Sequence, residues 1–163
     1  MDPATRQPPE AEPGPRADPP GGKVLVVDDQ RNMRATTAIL LRQAGHAVEE
    51  AEGGAAAVRR VQQEPFDVVL TDLRMPEVDG LEVLRAVREH SPDTQVVVMT
   101  AYGTIDSAVE AMRQGAHDYV SKPFKEEELL VRIARAVETR RLRGRRELLA
   151  GDFRRQYGLE HIV

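Results

Sequence analysis

Five side chains in this sequence have the types and the placement to do chemistry together: Asp28, Asp29, Asp72, Thr100 and Lys122. Each ends or follows a short β-branched or aliphatic run: KVLVV before Asp28-Asp29, DVVLT before Asp72, QVVVM before Thr100 and DYVS before Lys122. If those runs are parallel strands of one sheet, the five groups converge on the rim beyond the strands' carboxyl ends, where such sheets bind ligands. Three carboxylates at one rim repel one another, and each is expected to titrate high unless a cation neutralises the group. An all-oxygen donor set without His or Cys suits a hard divalent ion, with Mg²⁺ the physiological choice. Such an ion takes one or two carboxylates plus phosphoryl oxygens, which leaves a carboxylate free to act as nucleophile and form an acyl phosphate. Charge in that transition state spreads over the equatorial oxygens, so Mg²⁺, the Lys122 ammonium and the Thr100 hydroxyl with nearby N–H groups would share it. The set has the parts for phosphoryl transfer to Asp72.

Taken singly, each residue has a plainer use. Asp28 or Asp29 could cap the helix that follows. Asp72 could be a turn residue before Met75-Pro76, and Lys122 a surface lysine before Pro123. It is their coincidence at four strand ends that points to a site.

The elements that must position them follow from periodicity. Apolar runs at about 23–27, 46–50, 67–71, 95–99 and 118–121 start 21 to 28 residues apart. Several are continuously apolar, the pattern of strands covered on both faces. Helical spacing recurs between them, at about 32–43, 54–63, 81–89, 105–114 and 126–140. Met33, Thr37, Leu40 and Leu41 share one face of the first, and Gly45 stands just past its end. Five β-α units predict an α/β fold: a doubly wound, five-stranded parallel sheet in the order 2-1-3-4-5, flavodoxin-like.

Composition bounds the rest. The chain has 163 residues, a formal charge of −4 and 40% hydrophobic residues, enough for one domain and a little over. The absence of cysteine excludes disulfides, zinc-thiolate sites and a catalytic thiol. No apolar run is long enough to cross a bilayer and the start is no signal peptide, so the expectation is a cytoplasmic protein with no membrane partner. Residues 1–22 hold seven of the eleven prolines and are expected to be a disordered tail. The domain is expected over 23–140. Residues 141–163 read as a basic outgoing linker helix, with Arg140, Arg141, Arg143, Arg145 and Arg146, then Arg154 and Arg155; Gly144 would weaken a continuous helix there. His46, His90, His117 and His161 are scattered and are assigned to no metal.

Val26-Val27-Asp28-Asp29, Leu70-Thr71-Asp72-Leu73-Arg74-Met75-Pro76 with Gly80, Met99-Thr100-Ala101 and Lys122-Pro123-Phe124 together resemble the motif set of two-component response-regulator receiver domains, in order and spacing, over about 23–140. The resemblance implies that Asp72 is the phosphoacceptor, with Asp29 and Asp72 as direct Mg²⁺ ligands, Asp28 acting through water and the Arg74 backbone carbonyl completing the set. It further implies phosphoryl contacts from Thr100 and Lys122, and a cis Lys122–Pro123 peptide. Thr100 would be drawn inward on phosphorylation while Tyr119 changes rotamer, with Tyr102 at a partner-sensitive surface. The fourth helix, fifth strand, fifth helix and linker would form a homodimer face. The donor would be a sensor histidine kinase, and the only catalysis would be self-phosphorylation and self-dephosphorylation.

A narrower likeness lies in Ala101-Tyr102-Gly103-Thr104 with Ala108 and in Gln114-Gly115-Ala116-His117-Asp118-Tyr119, similar to receivers of the nitrogen-regulatory type found in sigma-54-dependent activators. Phe153-Arg154-Arg155-Gln156-Tyr157-Gly158-Leu159 is similar to the start of the ATPase domain that follows in those proteins. No GxxxxGK[ST] loop is present, so this resemblance implies a receiver plus linker, with DNA and sigma-54 polymerase contacted only through absent domains. Two rivals stand beside it. A phosphorylation-independent interaction module would have no use for three mutually repelling carboxylates. A haloacid-dehalogenase-like phosphatase needs a DxD arrangement that Asp28-Asp29-Gln30 lacks. Flavin mononucleotide binding is disfavoured because Asp28 and Asp29 would repel its phosphate.

Overall fold

The computed structural model describes residues 21–101 and 105–157, without the side chains of 105 and 145–157. Its elements alternate: β1 (Lys23–Val27), α1 (Arg31–Gln43), β2 (Ala47–Ala51), α2 (Gly54–Gln63), β3 (Val68–Asp72), α3 (Gly80–His90), β4 (Gln95–Thr100), α4 (Ile105–Arg113), β5 (Asp118–Ser121) and α5 (Glu126–Tyr157). The strands form one sheet in the order β2-β1-β3-β4-β5, and every pair is parallel. This is the doubly wound arrangement expected from the spacing, and it sets the reversal of strand order between β1 and β3.

The continuous apolar runs are explained by what covers them. Leu25, Val27, Val69, Val96 and Val98 face a core shared with Ala57, Val61, Val83, Leu84, Val87 and Ala111 of α2, α3 and α4. Their strand neighbours Val24, Val26, Val68, Leu70, Val97, Met99 and Val120 face Ala38 and Leu41 of α1 and Leu129, Ile133, Ala136 and Val137 of α5. Neither face of the central strands β1, β3 and β4 is wet, so alternation has no reason to appear in their sequences.

Two boundaries differ from expectation. Gly21 and Gly22, placed in the tail by composition, are buried. The Gly22 N–H donates to His46 Nδ1 at 2.9 Å, and its carbonyl accepts from the Ala47 N–H at 2.9 Å. A Cβ on Gly21 would lie 2.3 Å from the Gly45 carbonyl oxygen, so only glycine fits that approach. At the other end α5 does not stop near 140 but runs 32 residues, through Gly144. The surrounding Arg, Leu, Glu and Ala are strong helix formers and outweigh one glycine costing about 1 kcal/mol. Residues 1–20, including most of the expected tail, lie outside the described residues.

Candidate functional site

β1 delivers the first two acids. The Asp28 N–H continues the ladder to the Ala51 carbonyl at 3.2 Å, while its side chain turns inward and is fully buried. Oδ1 accepts from the Gln30 N–H at 2.9 Å, and Oδ2 accepts from Lys122 Nζ at 3.1 Å. Asp29 is exposed. The N-cap of α1 is Gln30, with no side-chain cap bond, so neither aspartate serves the capping role that its position allowed.

Asp72 is the last residue of β3 and pairs with Met99. Beyond it the Leu73 N–H donates to the Met99 carbonyl at 3.0 Å, and the Thr71 hydroxyl donates to the Asp72 carbonyl at 2.9 Å. The loop that follows closes tightly on itself. The Gly80 N–H returns to the Leu73 carbonyl at 3.0 Å, and a Cβ on Gly80 would sit 2.4 Å from the Asp72 carbonyl oxygen. Asp79 fastens the start of α3 by a capping box with Glu82. The backbone under Asp72 is thus held from both sides.

Lys122 closes the site from β5. Its N–H donates to the Thr100 carbonyl at 2.7 Å, and the bond to Pro123 is cis. Nζ lies 3.2 Å from Asp72 Oδ2 and 3.1 Å from Asp28 Oδ2, with the lysine side chain only 17% exposed. Thr100, at the end of β4, is buried. One carboxylate oxygen from each of Asp28, Asp29 and Asp72 lies within 4.8 Å of the other two.

The electrostatics follow from this crowding. Burial pushes the Asp72 carboxyl above the ordinary aspartate range, and the Asp28 charge adds to the rise. The Lys122 ammonium, by charge and hydrogen bond, and a hydrogen bond from the Arg74 backbone pull the other way. One ammonium against three carboxylates leaves the group short of positive charge, and an all-oxygen cluster of this size has the donor chemistry that suits a hard cation.

The remaining expected residues are placed less centrally. Arg74 is exposed in the loop after β3, and its backbone meets the Asp72 carboxylate. Tyr119 pairs with Val98, two residues before Thr100 on the neighbouring strand, and so shares Thr100's side of the sheet while being 38% exposed. Tyr102 lies outside the described residues. Motif reading missed Arg34. Its guanidinium donates to the Asp28 carbonyl at 2.9 Å and to Glu50 at 3.1 Å. No sequence signal singles it out, since Arg31 and Arg34 stand in the same first turn of α1 and only the fold shows which one reaches the rim.

Residues 24–134 match the family model described as the response regulator receiver domain. The chain is 40% identical over 119 residues to the transcriptional regulatory protein ZraR of Klebsiella oxytoca, covering 73% of this chain and 27% of that protein. Among solved structures, NtrX from Brucella abortus in complex with ADP superposes with a TM-score of 0.75 at 31% identity, over 79% of this chain and 30% of that one. A response regulator receiver domain protein from Clostridium thermocellum superposes with a TM-score of 0.69 at 31% identity, over 74% of this chain and 97% of that one. The chain therefore spans less than a third of ZraR and almost the whole of a solved receiver domain. Among the described residues, no helix is long and apolar enough to cross a membrane.

Proposed function

The chain belongs to the response-regulator receiver family, and on that premise we propose that it accepts a phosphoryl group on Asp72 from the phosphohistidine of a sensor histidine kinase. The observation that carries this reading is the Lys122 ammonium bridging Asp28 and Asp72 while a third carboxylate stands within 4.8 Å. The all-oxygen cluster fits Mg²⁺: Asp29, Asp72 and the Arg74 backbone carbonyl would hold the ion, with Asp28 supporting it from behind. When bound, the ion neutralises charge on a transferring oxygen.

Asp72 attacks phosphorus, its new O–P bond forms as the N–P bond to the donor imidazole breaks, and the imidazole leaves. Lys122 is already directed at the Asp72 carboxylate and stabilises charge on a second oxygen. Water later cleaves the acyl phosphate, returning the carboxylate and inorganic phosphate. No other substrate is turned over. The Thr100 hydroxyl moves toward the phosphoryl oxygens, and Tyr119, on the same side of the sheet, responds. Exposed Val109, Met112, Tyr119, Val131 and Leu142 on α4, β5 and α5 support a homodimer face there. The unit works in the cytoplasm as the receiver of a longer sigma-54-dependent transcription activator, whose DNA and polymerase contacts lie in other domains.

Incubation with acetyl phosphate and Mg²⁺ should add one phosphoryl mass to the wild type and none to Asp72→Asn. Light scattering with and without beryllofluoride should then show a change in the dimer equilibrium. An unphosphorylated wild type, or equal uptake by Asp72→Asn, refutes the assignment. A dimer equilibrium indifferent to beryllofluoride favours the phosphorylation-independent interaction module.

A further inference from the structure

The Asp28–Asp29 peptide links the buried acid to the exposed one, so its plane decides where the Asp29 carboxylate points. Three of the four anchors on Asp28 are strand, turn and lysine contacts: its N–H to Ala51, Oδ1 from Gln30 and Oδ2 from Lys122. The fourth is on that peptide's own oxygen, which accepts from an Arg34 terminal nitrogen at 2.9 Å. Arg34 is 15% exposed, and its Nε donates to Glu50 Oε1 at 3.1 Å. Arg42 meets the other Glu50 oxygen at 3.7 Å. The Arg34 backbone N–H is itself bound to the Gln30 carbonyl at 2.9 Å, so the arginine is tied to the same turn that it grips.

A guanidinium in the first turn of a helix opposes the dipole there. Two of its nitrogens nonetheless engage, one with a carboxylate on β2 and one with a carbonyl at the acid rim. The planar fork suits such a divided task, whereas an ammonium is a single point charge. We propose that Arg34, aimed by Glu50, is a positioning residue for the acid rim: it holds the Asp28–Asp29 peptide so that the Asp29 carboxylate faces Asp72. It touches no reacting atom. The inference rests on the reading of the rim as a Mg²⁺ and phosphoryl site, and outer groups that orient metal ligands have measurable effects on metal affinity.

The test is a Mg²⁺ titration followed by amide NMR shifts of Gln30 and Leu73, on wild type, Arg34→Ala, Arg34→Lys, Glu50→Gln and Arg60→Ala. Arg60 pairs with Glu49 on β2 and with Glu64, away from the rim, and controls for loss of a comparable ion pair. Arg34→Ala and Arg34→Lys should each weaken Mg²⁺ binding on the order of tenfold. Glu50→Gln should weaken it less, and Arg60→Ala should leave it as in wild type. Wild-type affinity in folded Arg34→Lys or Arg34→Ala overturns the proposal, as does an equal loss in Arg60→Ala. If Arg34→Ala does not fold, Arg34→Lys decides. Absence of any Mg²⁺ response in the wild type would refute the parent reading, a result distinct from a wild-type response that Arg34 variants share.

Discussion

Replacing Lys122 by methionine keeps most of the length of the side chain and removes its charge. The change should destabilise the metal-free protein at pH 8 by about 3 kcal/mol. Nζ stands 3.1 Å from Asp28 and 3.2 Å from Asp72, and the three side chains are 17%, 0% and 13% exposed. At an effective dielectric of about 20 each contact is an attraction of about 5 kcal/mol, offset in large part by the several kcal/mol that desolvating the ammonium costs. Without the lysine, two carboxylates with oxygens no more than 4.8 Å apart face each other. Their repulsion at the same dielectric is about 3.5 kcal/mol or more. Removing one member of a buried pair costs about 3–5 kcal/mol, and the opening of the rim to solvent at Asp29 places this case at the low end. The unfolding temperature should fall by roughly 10 °C in chelator.

The deficit has a pH signature. Burial already raises the Asp72 carboxyl, and Lys122 is the largest influence pulling it down. In the variant the folded-state value rises further above the unfolded one. The penalty is therefore complete where Asp72 is ionised, and it shrinks as pH falls through the raised value. Thermal unfolding at pH 8 and pH 5, with chelator and with Mg²⁺, reads all of this. The penalty should be largest at pH 8 in chelator and smaller both at pH 5 and with Mg²⁺. An unfolding temperature equal to wild type at pH 8, or a deficit unaltered by both acid and Mg²⁺, would show that Lys122 acts through packing and not through its charge.

Gly80→Ala should cost about 1–3 kcal/mol in urea denaturation and slow phosphoryl uptake, because its Cβ would press to 2.4 Å of the Asp72 carbonyl, which is backbone and cannot swing aside; Gly53→Ala, which meets open space, is the control, and equal stabilities would refute the argument. His46 titrates low, through burial first and then the charge of Arg141, and its Nδ1 accepts the Gly22 N–H as only a neutral imidazole can. The unfolded chain then binds more protons than the folded one below the ordinary histidine value, so stability is lost as pH drops through that window. His46→Gln should flatten this dependence, leaving the share from His117, also lowered by burial; denaturation midpoints at several pH values that match wild type would refute it.

The strand order and the acid rim were legible because both rest on features a linear chain displays: apolar runs of fixed spacing, and chemistry-bearing residues placed at their carboxyl ends. Asp28, Asp72, Thr100 and Lys122 stand where that reading puts them. Strand bounds shifted by one residue at β2 and β3; at β3 the continuous apolar run leaves no alternation to mark an end. Contacts that depend on close approach were not legible. Nothing in Gly21-Gly22 distinguishes a packed edge from a proline-rich tail until Gly45 is seen 24 residues away in the chain and against it in space. Arg34 reads as one more surface arginine until Asp28 and Glu50 are seen to flank it. That the fifth helix and the linker helix are one continuous element was not legible, because Gly144 marks a break that the helix formers around it override.

The placement of α5 joins the acid rim to the opposite rim of the sheet. The helix starts at Glu126, just after Lys122, and runs back along the sheet to the opposite rim. There the Arg141 guanidinium donates to the Gly21 carbonyl at 2.6 Å, Thr139 meets His117 at 3.1 Å, and Val137 packs against Gly22. Between its two ends Leu129, Ile133, Ala136 and Val137 seat the helix in a close-packed core. Such cores switch between discrete packings and do not deform continuously. A rearrangement of Lys122 and Thr100, joined through the Lys122 N–H and the Thr100 carbonyl, bears on the segment that leads directly into α5. Were the helix to move as a rigid unit, the contacts to break or shift would be those at its far clamp, at Gly21 and His117.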